Sequence, residues 1–233
     1  MTMPQASESG QSQGQRPTAV LFDLDRTITR RGTYTPFLFW VARRRPAAFL
    51  SVPLLLAAAL AYRMRWIGRG RLKEIMLWRV MGAMPRAEVD AFAEGFVDAE
   101  IEQRLRPGAR VAIDCHRHAG HRLVLITASF NFYAEIFAQK LGFGDVVATA
   151  AEWDDQDCLT GRLVGENCYG PAKFRALSEK LPDLKDSHHL IAYSDHHTDA
   201  DLLTWVDAGT AVNPSRRLRQ LAERQGLTII DWN

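Results

Sequence analysis

The chain has 233 residues, of which 47% are hydrophobic, so it is long enough for one substantial domain and an insertion. Its formal net charge of +2 excludes polyanion binding driven by charge alone, and we expect no nucleic-acid partner. The three cysteines, Cys115, Cys158 and Cys168, are scattered, which excludes a CxxC redox pair and a zinc knuckle and suits a reducing cytoplasm. Residues 1–16 have almost no apolar side chains, so we predict a disordered tail rather than a secretion signal.

The first predicted element is a buried strand, Ala19–Phe22, which ends in two carboxylates one residue apart. Asp23 and Asp25 would lie where the strand leaves the sheet, the edge at which open α/β sheets bind ligands. Two like charges so close repel each other unless a cation neutralises them, and Mg²⁺ prefers oxygen ligands. The alternative interpretation is an ordinary Asx turn that follows a strand.

A segment without any charge, residues 46–62, is the next feature of the chain. As a helix its seventeen residues would reach about 25 Å, slightly less than a hydrocarbon core of about 30 Å. Arginines lie on both sides of it, namely Arg43, Arg44, Arg45, Arg63, Arg65, Arg69 and Arg71. A helix that is apolar on all sides is either wholly buried or in contact with lipid.

Helices and strands alternate along the rest of the chain. The apolar spacing predicts helices around 89–97, 111–120, 133–141 and 215–225, and strands at 123–126, 190–193 and 209–213. Gly142 would stop the third of these helices. This alternation predicts a parallel sheet that is covered by helices on both faces.

Polar residues follow two of these strands, and a lysine follows a turn that opens a helix. Thr127 comes directly after one strand, and Asp195 ends the next, with Asp199 four residues later. Lys173 lies just after the turn at 169–171. Taken singly, each could be a strand-end residue, a surface lysine or a helix cap. Together with the first two carboxylates, they predict one shared site.

In this order the residues resemble the motifs of the haloacid dehalogenase (HAD) superfamily of phosphohydrolases. The matching positions are Asp23-Leu24-Asp25-Arg26-Thr27, Thr127, Lys173, and Asp195 with Asp199. Segments 159–173 and 193–203 are also similar to subfamily IB, the branch that includes phosphoserine phosphatases. The resemblance implies a Rossmann-like, doubly wound parallel sheet with an inserted helical cap. It implies a core at 17–32 and 106–233 and a cap at 33–105.

The resemblance also implies the chemistry of the first motif. Asp23 would attack phosphorus and form an aspartyl-phosphate, and Asp25 would protonate the leaving alcohol and then activate water. Mg²⁺ would be held by the Asp23 carboxylate, the Asp25 backbone carbonyl and the Asp195 carboxylate.

Phosphate binding is the second role that the resemblance assigns. Thr127, together with Ala128, and Lys173 would hold the phosphate oxygens. Asp199 would orient Lys173 or a metal-bound water.

The position of the charge-free segment restricts how it can meet a membrane. Asp23 precedes it and Thr127 follows it, so a single crossing would separate two residues that must meet. An in-plane or re-entrant helix, a hairpin with residues 34–42, or a buried cap core remain open, and Pro53 permits a kink. We favour contact with an anionic membrane surface, at the cytoplasmic face of the inner membrane.

The substrate expectation comes from the residues after the first motif. Phosphoserine phosphatases carry an acidic residue there, whereas Arg30 and Arg31 occupy this stretch here, and with Arg26 they are possible substrate contacts. The chain most resembles HAD-type phosphatidylglycerophosphatases, so we expect a lipid-linked or amphipathic phosphomonoester. A soluble phosphatase of small metabolites and a non-catalytic membrane-recruited regulator are the alternatives. No obligate protein partner is evident.

Overall fold

A seven-stranded sheet forms the centre of the fold in the computed structural model, which describes residues 16–233. Its strands are β1 (Thr18–Phe22), β2 (Arg122–Phe130), β3 (Asp145–Trp153), β4 (Leu159–Val164), β5 (His189–Ser194), β6 (Ala208–Val212) and β7 (Thr228–Ile230). The strand order is β4-β3-β2-β1-β5-β6-β7, and only the β3–β4 pair is antiparallel. The predicted doubly wound α/β fold is confirmed. The predicted tail lies, except for Arg16, outside the described residues.

Helices surround this sheet and build the insertion between β1 and β2. Those of the insertion are α1 (Tyr34–Ala42), α2 (Val52–Arg63), α3 (Arg69–Met81) and α4 (Arg86–Arg104). The others are α5 (Pro107–His118), α6 (Asn131–Leu141), α7 (Pro171–Lys180), α8 (Leu184–Ser187), α9 (Ala200–Trp205) and α10 (Arg216–Gln225). The insertion helices lie within the predicted cap, whose limits of 33 and 105 stay a prediction.

Alternate side chains of β1 enter two separate hydrophobic clusters, because successive residues of a strand point to opposite faces. Val20 and Phe22 belong to the cluster that includes α1, α3, α4 and α6. Ala19 and Leu21 belong to the cluster formed with α7, α9 and α10. The cap therefore shares its core with one face of the sheet, and the carboxyl end of β1 is held from both sides.

Some element limits differ from the sequence-based prediction. Strand β2 does not end at Ile126 but continues to Phe130, with a shift of register between these two residues where it pairs with β3. Helix α5 begins at Pro107, because proline at the first position of a helix needs no hydrogen-bonded N–H. The sequence analysis did not predict β3, β4 or β7. Gly142, at φ 80°, ends α6 as predicted.

The charge-free segment forms an exposed helix. A 3₁₀ turn at Pro46–Ser51 leads into α2, and Pro53 lies in the first turn of α2 rather than at a kink. Among the described residues, the stretch Pro46–Arg63 is long and apolar enough to cross a membrane, and 6% of it is buried. The buried-core alternative is therefore wrong, since α2 rests on α3 but leaves most of its apolar surface uncovered.

The two chain segments that connect the insertion to the core are hydrogen-bonded to each other. Thr29 pairs with Leu105 in an antiparallel bridge. The Arg30 N–H donates to the Arg104 carbonyl at 2.9 Å, and the Arg106 N–H donates to the Ile28 carbonyl at 2.9 Å. The insertion consequently leaves and rejoins the core at one place, close to the end of β1.

Candidate active site

Asp23 follows β1 directly and is buried at the carboxyl edge of the sheet. Its backbone N–H donates to the Tyr193 carbonyl of β5 at 3.0 Å, so the parallel pairing continues one residue past the strand. The Thr27 hydroxyl donates to Asp23 Oδ2 at 2.9 Å and accepts from the Asp195 N–H at 3.0 Å. Thr27 therefore joins the ends of β1 and β5.

Lys173 bridges two buried carboxylates. Its Nζ donates to Asp23 Oδ1 at 2.8 Å and to Asp199 Oδ2 at 2.7 Å, and the Ser194 hydroxyl also donates to Asp199 Oδ2. Gly170 and Pro171 begin α7 and place the lysine in its first turn. Burial alone would lower the pKa of Lys173, but Asp199 and Asp23 outweigh it and raise that pKa above its ordinary value. The two carboxylates therefore favour the ammonium form of Lys173.

The Asp25 carboxylate connects the first motif to the cap. The Thr33 backbone N–H and hydroxyl both donate to Asp25 Oδ1, the hydroxyl at 2.7 Å, and the Ser129 hydroxyl donates to Oδ2 at 2.8 Å. Thr33 immediately precedes α1, and Ser129 lies in the bulged end of β2. Sequence reasoning assigned no role to either hydroxyl.

Thr127 and Ala128 lie in the same bulged segment, beside the end of β1. Thr127 is fully buried, and its Oγ1 accepts from the Ser129 N–H at 3.0 Å, so its hydroxyl hydrogen remains to be donated. The Ala128 carbonyl accepts from Thr149 Oγ1 at 2.8 Å and from Lys73 Nζ at 2.5 Å. Lys73 belongs to cap helix α3 and was not predicted.

The cations near the carboxylates of the site do not neutralise all of their negative charge. Burial, followed by Asp199, raises the pKa of Asp195 to about 7. Burial also raises the pKa of Asp23 to about 8, although Lys173 opposes the shift. A hard divalent cation would supply the missing charge, so these oxygen ligands fit Mg²⁺. In residues 16–233 no three His, Cys, Asp or Glu side chains form a metal-binding group, and the predicted set uses only two carboxylates plus a carbonyl.

The three arginines after the first motif have different surroundings. Arg26, at φ 66°, and Arg31 line the cavity above Asp23, but Arg30 does not. Arg31 is already paired with Glu100 of α4. One oxygen of this buried glutamate, Oε2, has no hydrogen-bond partner in the described chain. Arg26 is therefore freer than Arg31 to contact a ligand in this cavity.

A cavity of about 580 Å³ lies between the sheet edge and the cap. Its lining brings together Asp23, Asp25, Ala128, Lys173, Asp195 and Asp199 from the predicted set. Sequence reasoning missed Arg69 and Tyr169, whose guanidinium and ring are stacked 3.8 Å apart at its wall. A flat cation fixed over an aromatic ring is a signal that only the tertiary structure reveals.

Comparison with known proteins agrees with this geometry. Residues 20–204 match the family model described as haloacid dehalogenase-like hydrolase. The chain is 30% identical over 220 residues to phosphoserine phosphatase SerB1 of Mycobacterium tuberculosis, covering 92% of this chain and 70% of that protein. These matches, together with the buried carboxylates at the sheet edge and the doubly wound sheet, define a phosphatase.

Solved structures show the same fold. A protein of unknown function from Bordetella pertussis Tohama I superposes with a TM-score of 0.84 at 26% identity, over 94% of this chain and all of that one. A phosphoserine phosphatase, solved as an analogue of its phospho-aspartyl intermediate, has a TM-score of 0.61 at 16% identity, over 94% and 95% of the two chains. The chain belongs to the haloacid dehalogenase-like hydrolase family, with phosphoserine phosphatase-like relatives.

Proposed function

We propose that this enzyme hydrolyses phosphomonoesters through an aspartyl-phosphate on Asp23 and requires Mg²⁺. The observation that carries the proposal is the buried Lys173 bridge between Asp23 and Asp199 at the edge where β1 and β5 end. An ammonium fixed beside a nucleophilic carboxylate reduces the repulsion that an anionic phosphate meets there. Mg²⁺, bound by Asp23, the Asp25 carbonyl and Asp195, would supply further charge neutralisation.

The residues of the chain account for both half-reactions. An Asp23 oxygen forms the new bond to phosphorus while the bond to the leaving alcohol breaks, and Asp25 gives that alcohol a proton. Asp25 then takes a proton from water, which attacks phosphorus and releases Asp23 and inorganic phosphate. Lys173 and the Thr127 hydroxyl contact the transferring phosphoryl oxygens. The hydrogen bonds from Thr33 and Ser129 hold Asp25 in place for both transfers.

Hydrolysis of p-nitrophenyl phosphate by the purified full chain tests this chemistry. We expect turnover with Mg²⁺ that is lost in EDTA and restored by added Mg²⁺. Absence of turnover at any divalent-ion concentration would instead favour the non-catalytic regulator.

For the substrate, we propose an amphipathic phosphomonoester such as phosphatidylglycerophosphate. The support is an exposed surface, the apolar cap face, formed by Phe49, Leu50, Leu54, Leu56, Leu60 and Trp66. Leu50 is 83% exposed and Leu56 66% exposed, whereas the opposite side of α2 packs through Ala58. A concentration of exposed apolar side chains of this kind is typical of interaction sites.

The charges around the apolar cap face favour an anionic lipid surface as its occupant. No Asp or Glu occurs between Asp25 and Glu74, whereas the same stretch holds ten arginines and Lys73. Arg43, Arg44, Arg63 and Arg65 are exposed at the two ends of the 3₁₀ turn and α2. Near an anionic membrane each such cation contributes about 1 kcal/mol.

The orientation follows from how the insertion is connected. Both of its ends meet beside β1, so α2 would lie in the plane of the surface with its apolar cap face inward. We propose the cytoplasmic face of the inner membrane as the location.

A phosphoserine phosphatase-like activity on small metabolites is the second candidate. It is favoured by the 30% identity to phosphoserine phosphatase SerB1. Asp25 and the site carboxylates are the acidic groups of the main cavity, and Arg26, Arg31 and Arg69 are its cations besides Lys173. The ammonium of phosphoserine would therefore lack a carboxylate of its own.

A substrate screen separates the two candidates. We expect higher kcat/KM for phosphatidylglycerophosphate in mixed micelles than for phosphoserine. Efficient hydrolysis of phosphoserine with none of the lipid would reject the amphipathic substrate and leave the second candidate.

Vesicle flotation tests the membrane surface separately. The full chain should float with vesicles that contain phosphatidylglycerol and remain behind with phosphatidylcholine vesicles. The triple variant Leu50→Ser, Leu56→Ser and Leu60→Ser should lose this binding. Val111→Ser is a matched control, because Val111 is an equally exposed apolar residue on α5, outside the cap. Equal flotation of both variants would reject the apolar cap face as the binding surface.

A further inference from the structure

A second, smaller cavity of about 280 Å³ adjoins the catalytic one, and we call it the side chamber. The two share lining residues, which are Asp25, Tyr34, Thr35, Arg69 and Ala128. The remaining walls come mainly from the cap, through Tyr62, Leu72, Lys73 and Met76, with Ser129 and Asn167 from the core. Since Asp25 protonates the leaving alcohol in the proposed function, the side chamber begins where that alcohol departs.

Lys73 is the unusual residue of the side chamber. Only 6% of it is exposed, and its Nζ donates to the Ala128 carbonyl and to Asn167 Oδ1 at 3.2 Å. The same ammonium lies 4.1 Å from the centre of the Phe130 ring. All of these partners are neutral, and in residues 16–233 no carboxylate lies within 4.0 Å of this ammonium.

A buried ammonium without a counterion is costly, because neutral acceptors replace only part of its hydration. Burial lowers the pKa of Lys73 to about 7, and the nearby Asp25 opposes this shift only in part. Asp25 acts on Lys73 only through space, since its carboxylate forms no ion pair with Lys73 and instead accepts hydrogen bonds from Thr33 and Ser129. Lys173, by contrast, contacts two carboxylates directly.

We propose that the side chamber binds an anionic group on the leaving alcohol of the substrate, with Lys73 and Arg69 as its cations. This inference rests on the proposed phosphomonoester hydrolysis and adds which leaving groups the enzyme prefers. An anion bound there supplies the negative charge that Lys73 lacks. Its binding therefore offsets the cost of burying the Lys73 ammonium.

The other residues that line the side chamber restrict which anionic groups can bind there. Leu72 and Met76 offer apolar contacts, and Asp25 is the one acidic residue that lines the side chamber among the described residues. An ammonium would face Lys73 and Arg69 with no free carboxylate. The anion is therefore the carboxylate of a small metabolite or the phosphodiester of a lipid. Tyr62 leads from the side chamber to the end of α2, which gives the lipid a route to the apolar cap face.

Two substrates of similar size test the side chamber. In 3-phosphoglycerate a carboxylate stands where glycerol 3-phosphate has a neutral alcohol. We expect wild-type enzyme to favour 3-phosphoglycerate in kcat/KM, and Lys73→Met to reduce the ratio of the two values by about tenfold, as for one charge-assisted hydrogen bond. Arg79→Met, which removes an exposed cation from the same helix, should keep the wild-type ratio.

Phosphatidylglycerophosphate is included to distinguish the two sources of the anion. If Lys73→Met impairs its hydrolysis more than that of 3-phosphoglycerate, the bound group is the phosphodiester, and the reverse order identifies a carboxylate. An equal loss for all three substrates would overturn the inference, because Lys73 would then only position Ala128. Lys73→Gln, which keeps a hydrogen-bond donor, provides a second variant should Lys73→Met not fold.

A binding measurement separates this inference from the proposed function. Calorimetric titration of Asp23→Asn with 3-phosphoglycerate and with glycerol 3-phosphate should show tighter binding of the former, and Lys73→Met should remove that difference. If the wild-type enzyme turned over none of these substrates while the binding preference persisted, the proposed reaction alone would be rejected. Turnover without any preference, in binding or in kcat/KM, would reject the side chamber as an anion site.

Discussion

The carboxyl edge of the sheet and the apolar cap face both depart from the usual pattern of buried apolar and exposed ionisable side chains, but in opposite directions. At the sheet edge, the side chains of Asp23, Lys173 and Asp199 are ionisable yet buried, and each has a partner. In the cap, Leu50 and Leu56 are apolar yet exposed, and nothing in the described chain covers them.

This difference shows what each region still requires. The sheet edge is complete in hydrogen bonds but short of positive charge, so it calls for a small hard cation and an anionic substrate. The apolar cap face requires a covering surface, because its leucines contribute stability only when a second surface removes them from water. Substitutions at the edge should therefore affect catalysis, stability or both, and those on the cap face should affect only association.

The largest expected effect belongs to Asp23, the proposed nucleophile. Asp23→Asn should lower kcat for p-nitrophenyl phosphate by about 10⁴-fold or more, because an amide cannot form the aspartyl-phosphate. Circular dichroism and gel filtration should show an unchanged fold. Activity near that of the wild type would remove Asp23 from the mechanism.

The ion pair at the edge should matter most for stability. Lys173→Met leaves the Asp23 and Asp199 carboxylates buried without their cation, which we expect to cost about 3–5 kcal/mol in the free energy of unfolding. Urea denaturation measures this loss. Lys180→Met, on the exposed side of the same helix, should change stability by no more than about 0.5 kcal/mol. Similar small losses for both variants would mean that the bridge does not hold the edge together.

The shortage of positive charge predicts a pH dependence for the metal-free protein. The pKa of Asp195 is raised from 3.8 to about 7, so the folded state binds more protons than the unfolded state between these values. This contribution to stability is fully present below pH 3.8 and is lost as the pH rises through about 7. In EDTA, the free energy of unfolding should fall between pH 5 and pH 8 in both proteins. The fall should be larger for the wild type than for Asp195→Asn by on the order of 1–3 kcal/mol.

Added Mg²⁺ should reverse this loss, since a ligand that binds only the folded state stabilises it. At pH 8 the ion should stabilise wild type more than Asp195→Asn. A pH profile identical for the two proteins would show that Asp195 does not carry the uncompensated charge.

The smallest expected change lies on the apolar cap face. Leu56→Ser should alter the free energy of unfolding by no more than about 0.5 kcal/mol, because its side chain is already in water. Leu77→Ala in the adjoining helix, whose side chain is fully buried, should cost about 2–5 kcal/mol. A large loss for Leu56→Ser would indicate that the leucine is buried in solution.

The parts of the site that the sequence predicted are those set by local pattern. A buried strand must end at the sheet edge, so carboxylates and hydroxyls directly after Phe22, Ile126 and Tyr193 are brought together by topology alone. Lys173 could be placed in the same way, because Gly170 and Pro171 mark the start of its helix.

The parts that were missed depend on contacts between distant segments. The bond from Lys73 to the Ala128 carbonyl spans 55 residues and exists only because the packing of α3 brings this side chain to the bulged end of β2. The exposure of α2 has the same origin. Hydropathy identifies an apolar helix, but whether a neighbour covers it is decided by the packing of the whole cap.

The paired connections of the insertion would allow an enzyme of this kind to acquire a different substrate preference by exchanging its insertion. Because Thr29 bridges to Leu105, the chain returns to the point from which it departed. Everything between these two residues is inserted at one point of the core, so another insertion with adjacent ends could take its place without interrupting β1 or β2. The proposed leaving-group preference and the proposed membrane affinity would then be exchanged together, while the residues at the carboxyl edge of the sheet stay the same.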